Sequence, residues 1–139
     1  MRISRKIHFC AGRRYQVAAL GEGENERLFG LSARAPGHGH NFTCEVVVSG
    51  PIDPATGMVM NLTALDAAMR DVIEPLDHKM LHVDIPHFRE VVPTDENIAV
   101  YVWDQLKGRL PAGCRLAGVR IFEDPLRWAE YAGDEGTPS

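Results

Sequence analysis

The chain has 139 residues, of which 45% are hydrophobic and 24% charged, and its formal net charge is −4. This length suits a single domain, and the apolar fraction argues against intrinsic disorder. Short apolar runs and the lack of basic blocks or a leader pattern predict no membrane span, no nucleic-acid partner and no secretion. The cysteines, scattered at positions 10, 44 and 114, are typical of the reducing cytoplasm.

The N-terminal half predicts two strands with a loop between them. Residues 3–15 alternate between apolar and polar side chains, as a half-buried strand does. The polar stretch 20–34 predicts a loop. The run 41–49 is rich in β-branched residues and predicts the second strand.

The sequence after these strands predicts two helices. Asn61 is a good N-cap for a helix whose apolar residues recur at three- and four-residue steps until Pro75 stops it. Thr94 or Asp95 can cap a second helix, which ends near Gly108.

Two more strands, at 115–122 and 127–131, complete the predicted elements. The expected fold is one α+β domain, residues 1–132, with two helices on one face of a four-stranded antiparallel sheet. Open sheet edges of this kind invite assembly. Residues 133–139 predict a flexible tail.

The sharpest local signal is the string Gly37-His38-Gly39-His40-Asn41. In an extended segment the two histidines lie on one face, about 6–7 Å apart, where two imidazoles can share a metal ion. Tetrahedral zinc needs at least a third protein ligand, and a glycine-rich turn with locally hydrogen-bonded histidines explains the string as well. A metal site and a simple turn therefore both stay open.

Two further positions carry groups suited to acid–base chemistry or ligand binding. Asp77 precedes His78, and a carboxylate beside an imidazole can orient it and raise its basicity. Glu123 follows a predicted strand, where its carboxylate can pair with an amino-pyrimidinone edge or simply be solvated. Neither position is decisive by itself.

Taken in order, these motifs resemble the 6-pyruvoyltetrahydropterin synthase family, and its animal branch more than its queuosine-pathway branch. The resemblance covers residues 3–132 almost without gaps. The matching segments are 5–15, 28–30, 37–41, 52–62, 75–79, 94–97 and 122–123.

The resemblance implies the tunnelling (T-) fold, in which subunits join strands into a trimeric barrel and two trimers stack as a hexamer. It implies pterin sites between subunits and a lyase that eliminates triphosphate from 7,8-dihydroneopterin triphosphate. In such enzymes three histidines hold a zinc ion that polarises the substrate side chain. A cysteine backed by a histidine and an aspartate moves protons, and a glutamate anchors the pterin ring.

Most functional positions of the family are matched. They are two zinc ligands, His38 and His40; the pair behind the proton-moving group, Asp77 and His78; the pterin anchor, Glu123; and the helix-start motif beside the pterin, Thr94 and Glu96. Two positions differ. Arg13 stands where the family has its first zinc histidine, and Ser32 stands where it has the proton-moving cysteine.

Both differences bear on the chemistry. Arginine stays protonated and has no lone pair for a metal, so we predict no bound zinc and no other cofactor. The hydroxyl of Ser32 is a far weaker acid than a thiol. Arg13 beside His38 and His40 either forms a cationic patch for an anionic ligand group or forms an ion pair with a protein acid.

The sequence thus predicts a cytoplasmic homologue that binds a pterin-like ligand at a subunit interface and lacks zinc-dependent synthase activity. We expect a homo-oligomer, a hexamer made of two trimers. The alternative is an active lyase with substitute catalytic groups, so enzyme activity stays open at this point. A scaffold without a ligand is a third hypothesis, disfavoured by the retained Glu123, Thr94 and Glu96.

Overall fold

A computed structural model describes residues 1–134. The strands are β1 (Arg2–Arg13), β2 (His38–Ser49), β3 (Lys79–Met80), β4 (Arg115–Asp124) and β5 (Arg127–Tyr131). The α-helices are α1 (Glu22–Phe29), α2 (Leu62–Ile73), α3 (Leu81–Asp84), α4 (Pro86–Glu90) and α5 (Asp95–Leu106), and a 3-10 helix spans Gly30–Ala33. From position 135 onward, the predicted flexible tail lies outside the described residues.

The strands form one sheet in the order β3-β1-β2-β4-β5. Strands β1, β2, β4 and β5 pair antiparallel along this order, whereas β3 runs parallel to β1. The α+β class is confirmed, but the sheet has five strands rather than the predicted four. The additional strand, β3, is two residues long, which is too short to give a periodic sequence signal.

The segment predicted as a loop at 20–34 is instead helical, since it holds α1 and the 3-10 helix. Helix α1 has no apolar stripe, and its buried residue is Asn25. The Asn25 amide donates to the carbonyls of Val17, Leu20 and Gly21, and its side-chain oxygen accepts from the Val17 amide. The Asn25 amide therefore anchors α1, in place of the apolar stripe that would have produced a periodic sequence pattern.

The two long helices, α2 and α5, begin at the predicted caps. The Asn61 side chain accepts a hydrogen bond from the Thr63 amide at 2.9 Å, and Thr94 accepts one from Asn97 at 3.2 Å. Both helices cover one face of the sheet and share a core with it. That core includes Phe9, Phe42, Val46, Leu65, Met69, Ile98, Val102 and Ile121. Within residues 1–134, no helix combines the length and apolarity needed to cross a bilayer.

Candidate functional site

The candidate site lies where β1 ends and β2 begins, on the helix-covered side of the sheet. Arg13 pairs with His38 in the β1–β2 register, and Ala11 pairs with His40. Because side chains alternate along a strand, Arg13, His38 and His40 share one face. Glu123, near the end of β4, reaches the same place.

Arg13 is held there as a buried cation between two carboxylates. Its side chain is only 1% exposed, and Nη1 and Nη2 lie 2.6 Å from Asp95 Oδ1 and Glu123 Oε2, respectively. Nη1 also donates to the carbonyl of Pro93 at 3.1 Å. Charge-assisted bonds this short in a desolvated site fix the guanidinium firmly.

Aromatic rings complete the surroundings of Arg13. Its guanidinium carbon lies 5.0 Å from the ring centre of Tyr15 and 4.9 Å from that of Phe42, both within cation–π range. Of the two roles left open by the sequence, the structure has the ion pair with protein acids, so Arg13 is not a free cation facing the cavity.

Asp95 is a residue of this site that sequence reasoning missed, as are Tyr15 and Arg127. The sequence offers Asp95 as a possible cap, but Thr94 takes that role and Asp95 occupies the first turn of α5. Burial raises its pKa, although the neighbouring Arg13 acts in the opposite direction. A carboxylate next to Thr94 and Glu96 was visible in the sequence, but its partner lies 82 residues away.

His38 and His40 are brought together as predicted. Their ring centres are 4.9 Å apart with the rings nearly perpendicular, at 88°. The pKa of His38 is lowered by burial and by His40, and the pKa of His40 is lowered by burial and by Arg13. Both imidazoles are therefore neutral at pH 7, and each keeps one nitrogen lone pair.

A cavity of about 360 Å³ joins these groups. It is lined by Arg13, Tyr15, Leu31, Ser32, His38, His40, Glu123 and Arg127. The carbonyl of Ser32 accepts the Tyr15 amide at 2.8 Å, which fixes the 3-10 helix at the cavity wall. The predicted residues of this half of the site are thus assembled within one chain.

Within residues 1–134, His38 and His40 are not joined by a third side chain arranged to hold a metal ion. Among residues 1–134, no group of three or more histidine, cysteine or acidic side chains is arranged to hold a metal ion. Cys44 lies on the same strand face as His40, but it is fully buried and burial raises its pKa to about 12. It also lies four residues beyond His40, roughly 13 Å along a straight strand, which is too far to share a metal ion with it.

Asp77 and His78 lie elsewhere, beside Cys10 on β1. Asp77 Oδ1 is 3.0 Å from His78 Nδ1 and also accepts the Cys10 amide at 2.9 Å. The hydrogen bond from Cys10 lowers the pKa of Asp77. The His78 amide donates to the Cys10 carbonyl at 2.6 Å, and His78 adopts a positive φ of 59°.

His78 lines a second cavity, of about 340 Å³, together with Cys10, Asn41 and Lys79. Cys10 is one position out of phase with Ala11 and Arg13, so its side chain points to the opposite face of the sheet. His78 and Ser32 thus line different cavities of one chain, although His40 lines both.

Comparison with known proteins shows which family the chain belongs to. The sequence profile of the 6-pyruvoyl tetrahydropterin synthase family matches residues 2–134. The human 6-pyruvoyl tetrahydrobiopterin synthase is 47% identical over 133 residues, which are 95% of this chain and 91% of the human protein. The chain belongs to the 6-pyruvoyl tetrahydropterin synthase family. The Drosophila melanogaster enzyme of the same name is 41% identical over 132 residues, 94% of this chain and 79% of that protein.

Solved structures of the family agree with the fold. The 6-pyruvoyl tetrahydropterin synthase of Caenorhabditis elegans superposes with a TM-score of 0.90 at 34% identity, covering 96% of both chains. The Plasmodium falciparum enzyme is only 16% identical, covers 94% of this chain and 96% of its own, and has a TM-score of 0.65, which supports the fold alone. The predicted family and its T-fold are both confirmed.

Within this family, the remaining matched positions flank the start of α5. The Thr94 hydroxyl caps the helix by accepting a hydrogen bond from the Asn97 amide. Glu96 follows Asp95 in the first turn; burial is the largest influence that raises the pKa of Tyr15 and of Asp95, and the charge of Glu96 adds a smaller effect in the same direction. The helix-start motif thus contributes directly to the electrostatics of the Arg13 cluster.

Proposed function

We propose that this family member binds a pterin-like ligand between subunits and lacks zinc-dependent synthase chemistry. The observation that carries the proposal is the buried Arg13, paired at 2.6 Å with both Asp95 and Glu123. It occupies the position of the family's first zinc ligand, and its carboxylate partners keep it from turning away.

The residues present do not suit a zinc ion. At an effective dielectric of 20, a cation about 4 Å from a divalent ion costs roughly 8 kcal/mol, although Asp95 and Glu123 offset much of this repulsion. The missing third ligand is the larger defect, because guanidinium has no lone pair to donate. Moving Arg13 aside would also leave the carboxylates of Asp95 and Glu123 without their cation, at a cost of about 3–5 kcal/mol.

Proton transfer is weakened in the same cavity. Ser32 lines it, and none of its lining residues is a cysteine. An alkyl hydroxyl needs a strong base beside it before it can exchange protons as a tuned thiol does. Side-chain elimination therefore loses both its Lewis acid and its proton carrier.

Ring recognition needs neither group. The carboxylate of Glu123 lines the cavity and can accept two parallel hydrogen bonds from an amino-pyrimidinone edge. Tyr15 adds an aromatic wall, and burial, the largest influence, raises its pKa to about 12, so its hydroxyl stays a hydrogen-bond donor. These features support a pterin-like ring as the ligand class.

The proposal includes assembly into a hexamer of two trimers in the cytoplasm. It is supported by the separation of Ser32 from His78, which line different cavities of one chain. A second copy that brings Asp77 and His78 to the Ser32 cavity would complete one site. Strand β1 pairs with β3 only at Ala11 and Gly12, so most of its outer edge is open to such edge-to-edge joining.

A second candidate function is an active lyase with substitute groups. It is favoured by one observation, that the exposed thiol of Cys10 and the imidazole of His78 line the same cavity. The Cys10 Sγ donates to Asn41 Oδ1 at 3.0 Å, and Asp77 orients the imidazole. A thiol near an oriented imidazole is a group able to carry protons.

Binding and turnover measured on one preparation test the proposal. We expect neopterin to bind the wild type, Glu123→Gln to weaken binding at least tenfold, and the matched exposed-site control Glu22→Gln to bind normally. Release of triphosphate from 7,8-dihydroneopterin triphosphate should not exceed the background. Unchanged neopterin binding in Glu123→Gln would overturn the anchor, and turnover abolished by Cys10→Ser would favour the second candidate.

A further inference from the structure

Both oxygens of the Glu123 carboxylate are already engaged by arginines. Nη2 of Arg13 lies 2.6 Å from Oε2, and Nη2 of Arg127 lies 2.8 Å from Oε1. Arg127 also lines the 360 Å³ cavity, so its guanidinium lies on the ligand side of Glu123. In the ligand-free chain, both carboxylate oxygens of the proposed anchor, Glu123, are therefore paired with arginines.

The two arginines differ greatly in how firmly they are held. The Arg13 side chain is 1% exposed, whereas the Arg127 side chain is 70% exposed. Removing one partner of a buried ion pair is strongly destabilising, whereas an exposed ion pair contributes little to stability. A ligand that needs Glu123 will displace Arg127 and leave Arg13 in place.

Arg127 has a second carboxylate partner, Asp124, besides Glu123. Its Nη2 is 2.8 Å and its Nε 2.9 Å from Asp124 Oδ2. Asp124 is itself fixed at the turn before β5, because its Oδ1 accepts the Leu126 amide at 2.7 Å. Arg127 can keep this second partner while it releases the first.

The chemistry of the two donors explains the competition. A 2-amino-pyrimidinone ring presents a ring N–H and an amino group on one carbon, which is the same N–C–N donor pattern as a guanidinium. Both are planar donors that match a carboxylate with parallel hydrogen bonds. The Arg127 guanidinium and the ring edge therefore compete for the same oxygen atom, Oε1 of Glu123.

We infer that Arg127 is an internal competitor of the ligand, a side chain that occupies the ring-recognition oxygen of Glu123 until a ring with this donor edge displaces it. The inference rests on the proposed function, since it assumes that Glu123 is the anchor. It makes Arg127 a determinant of affinity and selectivity, because a ring without the amino group cannot replace the bond it breaks.

Removal of the competitor should tighten binding. An exposed pair worth up to about 1 kcal/mol corresponds to roughly a two- to fivefold lower Kd for neopterin in Arg127→Gln. Salt should act in the same direction in the wild type, because ions screen the exposed Arg127–Glu123 pair while neopterin is uncharged. Neopterin affinity should thus rise with salt in the wild type and stay constant in Arg127→Gln.

The experiment is a neopterin titration of wild type, Arg127→Gln and Arg109→Gln at low and high sodium chloride. Arg109 is the matched control, an exposed arginine paired with Asp71 at 3.7 Å, away from the cavity lining. Thermal unfolding of each variant checks that the fold is intact. Tighter binding in Arg127→Gln alone, with loss of the salt effect, supports the inference.

Other results separate the two claims. If the wild type binds neopterin and Arg127→Gln binds equally or more weakly, the competitor is disproved while pterin binding stands. If only Arg127→Gln binds, the competitor is supported in its strongest form. If neither protein binds neopterin, both the inference and the proposed function are overturned.

Discussion

Arg13 and Glu123 form a 2.6 Å ion pair between strands that lie two positions apart in the sheet, with β2 between them. The Arg13 guanidinium lies over the ring of Phe42 and also pairs with Asp95, at the start of α5. Side chains from three elements, β1, β4 and α5, thus meet in one buried ion cluster.

The ion cluster should be a major source of stability. Replacing Arg13 by methionine leaves Asp95 and Glu123 close together, with side chains only 15% and 16% exposed. We expect the free energy of unfolding, measured in urea, to fall by about 3–5 kcal/mol. The control is Arg5→Met, which breaks an exposed pair with Asp66 and should cost at most about 1 kcal/mol.

Additional variants separate the charge from the packing of the cluster. The triple variant Arg13→Met, Asp95→Asn, Glu123→Gln removes the uncompensated carboxylates and should recover part of the lost stability. Equal losses in Arg13→Met and Arg5→Met, or no recovery in the triple variant, would show that the buried pairs contribute no more than a surface contact.

Stability should decline in alkaline solution for a defined reason. Burial raises the pKa of Tyr15 and of Cys44 to about 12, above their ordinary values of 10.0 and 9.0. Between about pH 9 and 12 the unfolded chain releases protons that the folded chain retains, so the free energy of unfolding falls as pH rises. Urea unfolding in this range measures the slope.

Two substitutions show which residue causes each part of the fall in the free energy of unfolding with pH. Cys44→Ala should flatten the fall that begins near pH 9, and Tyr15→Phe the part that begins near pH 10. A slope that is the same in both variants as in the wild type would mean that neither group resists ionisation in the folded protein.

Replacing Arg13 and Ser32 by the residues that the family resemblance implies should add zinc-dependent chemistry. The double variant Arg13→His, Ser32→Cys places a third histidine beside His38 and His40 and a thiol at position 32. We expect it to release triphosphate from 7,8-dihydroneopterin triphosphate at least tenfold faster than the wild type, in a zinc-dependent manner. The single variant Ser32→Cys is the control, and a rate equal to that of the double variant would contradict a metal requirement at position 13.

The sequence predicted the parts of this structure that rest on local patterns. Alternation located the long strands, and the caps Asn61 and Thr94 located both long helices, because each signal lies within a few residues of its effect. Strand β3 and helices α1, α3 and α4 were not predicted. Strand β3 has two residues, and α3 and α4 have four and five, which are too few for a periodic pattern, whereas α1 is anchored by the buried amide of Asn25 and not by an apolar stripe.

The candidate site divides in the same way. His38 and His40 share a face through the period of the strand, which is a local property. The Arg13–Asp95 pair joins residues 82 apart, and the Arg13–Glu123 pair joins residues 110 apart. Such pairs depend on the whole sheet and on the docking of α5, so the sequence left open whether Arg13 meets an anion or a protein acid. The roles predicted for Asp77, His78 and Ser32 stay predictions.

The most direct test is the zinc content of the wild type and of Arg13→His, purified without chelator and measured by elemental analysis after exposure to excess zinc. A buried, doubly paired Arg13 predicts wild-type protein with far less than one zinc per chain, and Arg13→His with about one, as expected when three histidines are present. Stoichiometric zinc in the wild type, lost in His38→Ala, would contradict the central claim that a permanent cation has replaced the metal.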